Sequence, residues 1–177
     1  LTKIVDTTDE WIRSHTGISF RHIADDGVLT SDLAAEAARD ALAKADVSPE
    51  EVEYIVVATA TPDYFGFPAT ACIVQDKLKA PNAAAFDLVA GCTGFIYALD
   101  TAAALLEARK ARYALVLGAD ILTRITDWTD RATCVLFGDA AAAVLLEPCP
   151  EEGYGILDFM QRADGAGEDF LYMKAGG

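Results

Sequence analysis

Positive charge is scarce in this sequence. Fourteen lysines and arginines face 28 aspartates and glutamates, for a formal net charge of −14. General nucleic-acid binding needs a basic footprint, so the balance argues against nucleic acid as a partner. The acidic excess reads as a solvated, solubilising surface. No apolar stretch reaches the roughly 18 uncharged residues that a membrane-spanning helix needs, so no membrane association is expected. The opening, Leu1-Thr2-Lys3-Ile4-Val5-Asp6, has neither the pattern of a signal peptide nor a Met. The four cysteines, Cys72, Cys92, Cys134 and Cys149, form no CxxC pair. With no secretory signal, that usage points to a reducing cytoplasm. The two histidines, His15 and His22, have no cysteine neighbours at metal-ligand spacing, so no metal is assigned. No GxGxxG or Walker-type loop supports nucleotide-dependent redox chemistry or phosphotransfer.

What is present is apolar and periodic. With 177 residues and 53% hydrophobic composition, the chain can bury one substantial core. Asp6 to Ser14 predicts a short helix capped by Thr7 or Thr8. Thr30 or Ser31 can cap a second helix to about Ala45, with Leu33, Ala37, Ala41 and Ala45 on one face. Pro49 starts a short helical turn. Tyr54 to Thr59 reads as a buried strand, and a helix after Phe67-Pro68 carries Ala71, Ile73, Val74 and Leu78. Tyr113 to Gly118 and Ala140 to Leu146 read as further strands. Gly155 to Gln161 is expected to pair beside the latter, across a hairpin-like link at Glu151-Glu152-Gly153. Alternating strands and helices predict an α/β fold with a largely parallel sheet.

Cys92 is the residue most suited to chemistry. Ala83 to Val89 is short and apolar, as a strand buried on both faces would be. Thr93 to Ala108 is rich in Ala and Leu and reads as helix, almost apolar on every side until Glu107. Cys92 lies between them, at a helix N-terminus where free N–H groups and the helix dipole favour a thiolate. Gly91 and Gly94 leave room for a substrate to reach the sulfur. The arrangement is that of a nucleophile elbow with sulfur in place of oxygen. A buried cysteine packing as a small hydrophobe suits the same spacing.

Six segments together resemble one family. They are Asp6-Thr7-Thr8-Asp9-Glu10-Trp11-Ile12, Thr16-Gly17-Ile18, Arg21-His22-Ile23, Ala90-Gly91-Cys92-Thr93-Gly94-Phe95, Asp127-Trp128-Thr129-Asp130-Arg131 and Phe137-Gly138-Asp139-Ala140. In order and spacing the chain, from Val5 to about Gly165, resembles a β-ketoacyl-[acyl-carrier-protein] synthase III. The resemblance implies the N-terminal half of a thiolase-like fold, layered around a buried central helix, with residues 1–177 forming one half-domain. In that reading the family's first strand and entire C-terminal half lie outside this sequence. The family's catalytic His and Asn belong to that second half and cannot be carried onto any position here.

The resemblance also implies roles. Cys92 would be acylated by acyl-CoA, acetyl-CoA being the expected starter. The acyl-cysteine would then be attacked by the carbanion left when malonyl-acyl-carrier protein loses CO₂. Trp11 and Arg131 resemble the pair that sandwiches the CoA adenine, and Thr16 would lie near CoA. An aromatic in an amphipathic helix also serves as core, and Arg131 beside Asp130 also suits a surface ion pair. The family usually has Arg where this chain has His15, and a neutral imidazole grips phosphate less well. Phe67 resembles the residue that lines the acyl pocket from the partner subunit of a homodimer, although it also suits a staple at a helix start. The dimer would form through the Ala83–Val89 strand. No cofactor is implied beyond the CoA thioester substrate. The alternatives are a non-catalytic or truncated half-domain and a related polyketide starter synthase.

Overall fold

The computed structural model describes residues 1–151 and 153–173. At its centre is a four-stranded sheet of order β2-β1-β3-β4, formed by β1 (Tyr54–Ala58), β2 (Ala84–Leu88), β3 (Ala114–Ile121) and β4 (Asp139–Leu146). β1 runs parallel to both β2 and β3, and β4 is antiparallel to β3. The helices are α1 (Asp9–Thr16), α2 (Thr30–Ala45), α3 (Thr70–Leu78) and α4 (Gly94–Arg109). None among the described residues is long and apolar enough to cross a membrane.

The continuous apolar runs are explained by two-sided burial. Ile55 and Val57 of β1, with Leu115 and Leu117 of β3, face α2 and α3. The alternate residues Val56, Ala58, Ala114 and Val116 face α4. The result is three layers with the parallel strands in the middle. Each helix lays small residues on the sheet, Ala34 and Ala38 from α2 and Ala98 and Ala102 from α4, and all four are fully buried. Gly118 is small for the same reason, since a Cβ there would stand 3.3 Å from the Phe95 ring.

Several expectations need correction. Thr30 and Ser31 do not cap α2 but lie buried in its first turn. The cap position is Leu29, whose N–H donates to Asp32 at 2.9 Å, while the Ser31 N–H donates to Asp63 at 2.9 Å. The buried face of α2 is Ala34, Ala35, Ala38 and Leu42, one residue round from the expected stripe. Both stripes are small and apolar, and packing against the sheet selects the one carrying Leu42. The strand leading to Cys92 is an edge strand and only half-buried, because β1 covers one side alone. Helix α4 is likewise fully buried only along Gly94, Ala98, Ala102 and Leu106. Gly155 to Gln161 forms no strand. It runs along α4, where Gln161 donates to Asp100 and the Tyr97 hydroxyl donates to the Arg162 carbonyl at 3.2 Å. Residue 152 of the expected hairpin link lies outside the described residues.

Carboxylates then tie down the loops that leave the sheet. Asp87 of β2 accepts the N–H groups of Thr70 and Ala71, both at 2.7 Å, and so caps α3. Asp120 accepts from the hydroxyls and backbone around Thr59, Ala60 and Thr61 at 2.8–3.1 Å. Buried Asp139 accepts from the Thr123 N–H and hydroxyl and from the Ala24 N–H, at 2.6–2.9 Å. Buried carboxylates without a counter-ion need such donors.

Candidate functional site

Cys92 sits where its neighbours predict. β2 ends at Leu88, Gly91–Thr93 makes one tight 3₁₀ turn, and α4 starts at Gly94. Gly91 holds φ +54°, a left-handed conformation costly for any residue with a Cβ. Gly94 lets the helix start approach β1, since a Cβ there would meet the Ala58 Cβ at 3.4 Å. The Thr93 hydroxyl donates to the Ala90 carbonyl at 3.1 Å and closes the turn. Cys92 is exposed, which sets aside the buried-hydrophobe reading. It lies in the 3₁₀ turn that leads into α4, two residues before the helix begins. Of the other thiols Cys134 is fully buried, whereas Cys72 and Cys149 are exposed. The Cys72 thiol points at the Ala85 carbonyl, 3.6 Å away, on the flank of β2.

A second group of residues assembles around α1. This helix begins one residue inside Thr8, whose hydroxyl accepts the Trp11 N–H at 3.1 Å. It ends at Gly17, φ +73°, whose N–H returns to the Arg13 carbonyl at 2.9 Å. Ile12 packs with Cys134 and Val135, flanked by Trp11 and Trp128. The Arg131 guanidinium lies over the Trp11 ring, its Cζ 4.2 Å from the centroid. The two residues paired from sequence thus meet in space, and the Asp130 carboxylate serves its own turn instead. It accepts from the Ala132 N–H at 2.9 Å and from the Thr133 hydroxyl at 2.5 Å. Those bonds, the hydroxyl's first, hold Asp130 below the usual carboxylate range, and the Thr129 hydroxyl does the same for Asp127.

Thr16 stands at the end of the same helix with its hydroxyl largely committed. It donates to the Ile12 carbonyl at 2.7 Å and accepts the Ile18 N–H at 3.0 Å. Phe67 is 87% exposed on the loop between β1 and α3, beside exposed Tyr64 and Phe65, so it is not a helix-start staple. Sequence reasoning missed the stacking of His15 on Trp11, with ring centroids 4.3 Å apart. The signal available was the four-residue spacing on a helix.

Known proteins resemble this chain over its whole length. Residues 86–165, which run from within β2 through Cys92, α4, β3 and β4, match the 3-oxoacyl-[acyl-carrier-protein] synthase III family. The whole chain is 54% identical over 177 residues to the β-ketoacyl-[acyl-carrier-protein] synthase III of Caldanaerobacter subterraneus subsp. tengcongensis, covering 53% of that protein. It is 55% identical over 179 residues to the enzyme of that name from Rhodospirillum centenum, covering 55% of it. The crystal structure of the Thermus thermophilus β-ketoacyl-[acyl carrier protein] synthase III superposes on 99% of this chain and 54% of its own, with a TM-score of 0.91 and 45% identity. A priming β-ketosynthase from the R1128 polyketide pathway covers 83% of this chain and 44% of its own, with a TM-score of 0.78 and 36% identity. The chain spans about half the length of the curated relatives it matches. A superposition that takes in nearly the whole chain, and near-complete coverage at such identity, place the chain, with its thiolase-like fold, in the β-ketoacyl-[acyl-carrier-protein] synthase III family.

Proposed function

We propose that this chain supplies the acyl-loading part of a condensing enzyme that starts fatty-acid synthesis, as one thiolase-like half-domain of a cytoplasmic homodimer. The observation that carries the reading is the exposed Cys92 thiol, held by a left-handed glycine at the start of α4. The Cys92 thiolate adds to the carbonyl of an acyl-CoA, acetyl-CoA by expectation. The carbonyl–sulfur bond to CoA breaks, and CoA leaves as a thiolate that takes up a proton. Malonyl-acyl-carrier protein then loses CO₂. The electron pair of the broken carbon–carbon bond attacks the acyl-cysteine carbonyl, and Cys92 leaves as thiolate. A backbone donor at the oxyanion is worth about 3 kcal/mol. No cofactor enters either step.

Trp11 and Arg131 form the CoA-binding part of the reading. A purine between two planar groups needs them about 7 Å apart, two gaps of about 3.5 Å. At 4.2 Å the pair is closed, so binding swings the exposed Arg131 side chain outward. Thr16 keeps one lone pair for a CoA contact. Phe67, projecting into solvent, suits a contact with the acyl site of a second copy, and the unpaired edge of β2 suits joining the two copies.

The test is to incubate the chain with acetyl-CoA, digest it, and map acetylated peptides by mass. The acetyl group is expected on the Cys92 peptide and on neither Cys72 nor Cys149. Equal acetylation of Cys72 or Cys149 would overturn the assignment.

A further inference from the structure

Asp87 is the one charged residue of β2, and its place in an otherwise apolar strand needs a reason. Phe86 and Leu88 pack on the α4 side of the sheet, so the Asp87 side chain projects from the opposite face, toward α3. There its two carboxylate oxygens accept one N–H each, from Thr70 and from Ala71, both at 2.7 Å. Helix α3 has no side-chain cap of its own, because Ala69 stands at the cap position. A Ser, Thr or Asp at that position would cap the helix locally. Capping from β2 does more, since it ties the start of α3 to the strand that leads to Cys92.

Thr70 carries the tie into the loop that precedes the helix. It is fully buried, and its hydroxyl oxygen accepts the Asp63 N–H at 3.1 Å, so the segment from Asp63 to Thr70 closes on itself. The entry to the loop is held as well. Asp63 accepts the Ser31 N–H at 2.9 Å, the Thr30 hydroxyl donates to the Thr61 carbonyl at 2.6 Å, and Asp120 of β3 accepts from Thr59, Ala60 and Thr61. Between these anchors Tyr64, Phe65 and Phe67 stand exposed, with Gly66 turning the chain at φ +95°. Phe67 therefore projects from a loop whose two ends are fixed to the sheet, one to β3 and one to β2.

We infer that Asp87 is a positioning residue: through Thr70 it fixes the loop that presents Phe67, and so sets the length of acyl chain that the site of a second copy accepts. The inference rests on the proposed contact between Phe67 and that site. A ring held in one place ends an apolar pocket at a defined depth, which a short acyl chain fills and a long one overruns. Without the tie an exposed loop samples many positions, and a wall that moves no longer separates short chains from long ones. The Cys92 turn keeps its own supports, left-handed Gly91 and the start of α4, so discrimination is lost rather than loading itself.

The experiment loads the full chain with acetyl-CoA and, separately, with octanoyl-CoA, and follows acylated Cys92 by mass over time. Asp87→Asn leaves one acceptor oxygen where there were two, so one N–H of the α3 start loses its partner. Its preference for acetyl over octanoyl should fall roughly tenfold, and so should that of Phe67→Ala. The double variant should show no further fall, because both changes act through the same ring. Thr70→Val, which keeps the N–H and loses the hydroxyl, should repeat the effect, while Thr70→Ser should keep the wild-type preference. This pair leaves Asp87 in place and decides the matter if Asp87→Asn does not fold. An equal loss with both thioesters, or effects that multiply in the double variant, makes Asp87 a helix cap alone and overturns the inference. An unchanged preference in Asp87→Asn, with Phe67→Ala shifting it, overturns the role of Asp87 and leaves the Phe67 contact standing. An unchanged preference in Phe67→Ala, or no loading of wild type, overturns the proposed site and this inference with it.

Discussion

Cys92 and Trp11 belong to one proposed site, but they are positioned by different means. Around Cys92 the backbone decides: the end of a half-buried strand, a left-handed glycine, and a helix pressed against fully buried Val56 and Val116. Around Trp11 the side chains decide: a guanidinium at 4.2 Å, an imidazole at 4.3 Å, and carboxylates bound to their own loop. The sulfur proposed to react is anchored to the core, where displacement is expensive. The group proposed to bind CoA sits at the periphery, where an exposed arginine can move aside at little cost.

Substitutions sharpen this contrast, and the largest effect is at the sulfur. Cys92→Ala should abolish acetyl transfer from acetyl-CoA, while thermal unfolding shows little change at this exposed position. Leu115→Ala, in the fully buried layer, should cost about 3 kcal/mol in a denaturant titration, whereas the same truncation at exposed Phe67 should stay within about 0.5 kcal/mol. A cost at Phe67 like that at Leu115 would mean that the loop is part of this chain's own core. Trp11→Ala should raise KM for acetyl-CoA about tenfold and leave the maximal loading rate in place. A fall in the maximal rate instead would join the two regions into one unit. Gly91→Ala should cost about 1 kcal/mol through its positive φ and slow loading without changing KM.

The smallest effect is at Thr133→Val, which removes the main hydrogen bond to the Asp130 carboxylate. Because that carboxyl is held below its unfolded value, its contribution is present above about pH 4 and is lost as pH falls through the lowered pKa. Carbon-13 NMR titration should show the Asp130 pKa rising in the variant. No change would mean that the backbone bonds carry the shift.

Local rules made much of this legible. The strand–glycine–cysteine–helix junction needs only neighbours in sequence, and it lies where the spacing put it. The apolar run of β1 marked a strand covered on both faces. By contrast, the run before Cys92 gave the same signal for an edge strand, because composition records how apolar a strand is and not how many neighbours it has. The α2 face was misread because Leu33-Ala37-Ala41 and Ala34-Ala38-Leu42 are equally good apolar stripes. Gly155 to Gln161 was misread because its anchors are side chains on α4, far back in the chain.

The sequence by itself determined the alternation of elements, the position of Cys92 at a helix start and the family, because these depend on short-range backbone preference and on motif order. Tertiary structure alone decided which groups meet. Asp63 and Asp87 supply helix-start acceptors from distant loops and strands, Arg131 reaches across to Trp11, and sheet packing chooses the buried face of α2. Each of these is a long-range pairing in which several partners satisfy the local pattern equally well. The choice among them is made by burial and by the cost of leaving a polar group unpaired.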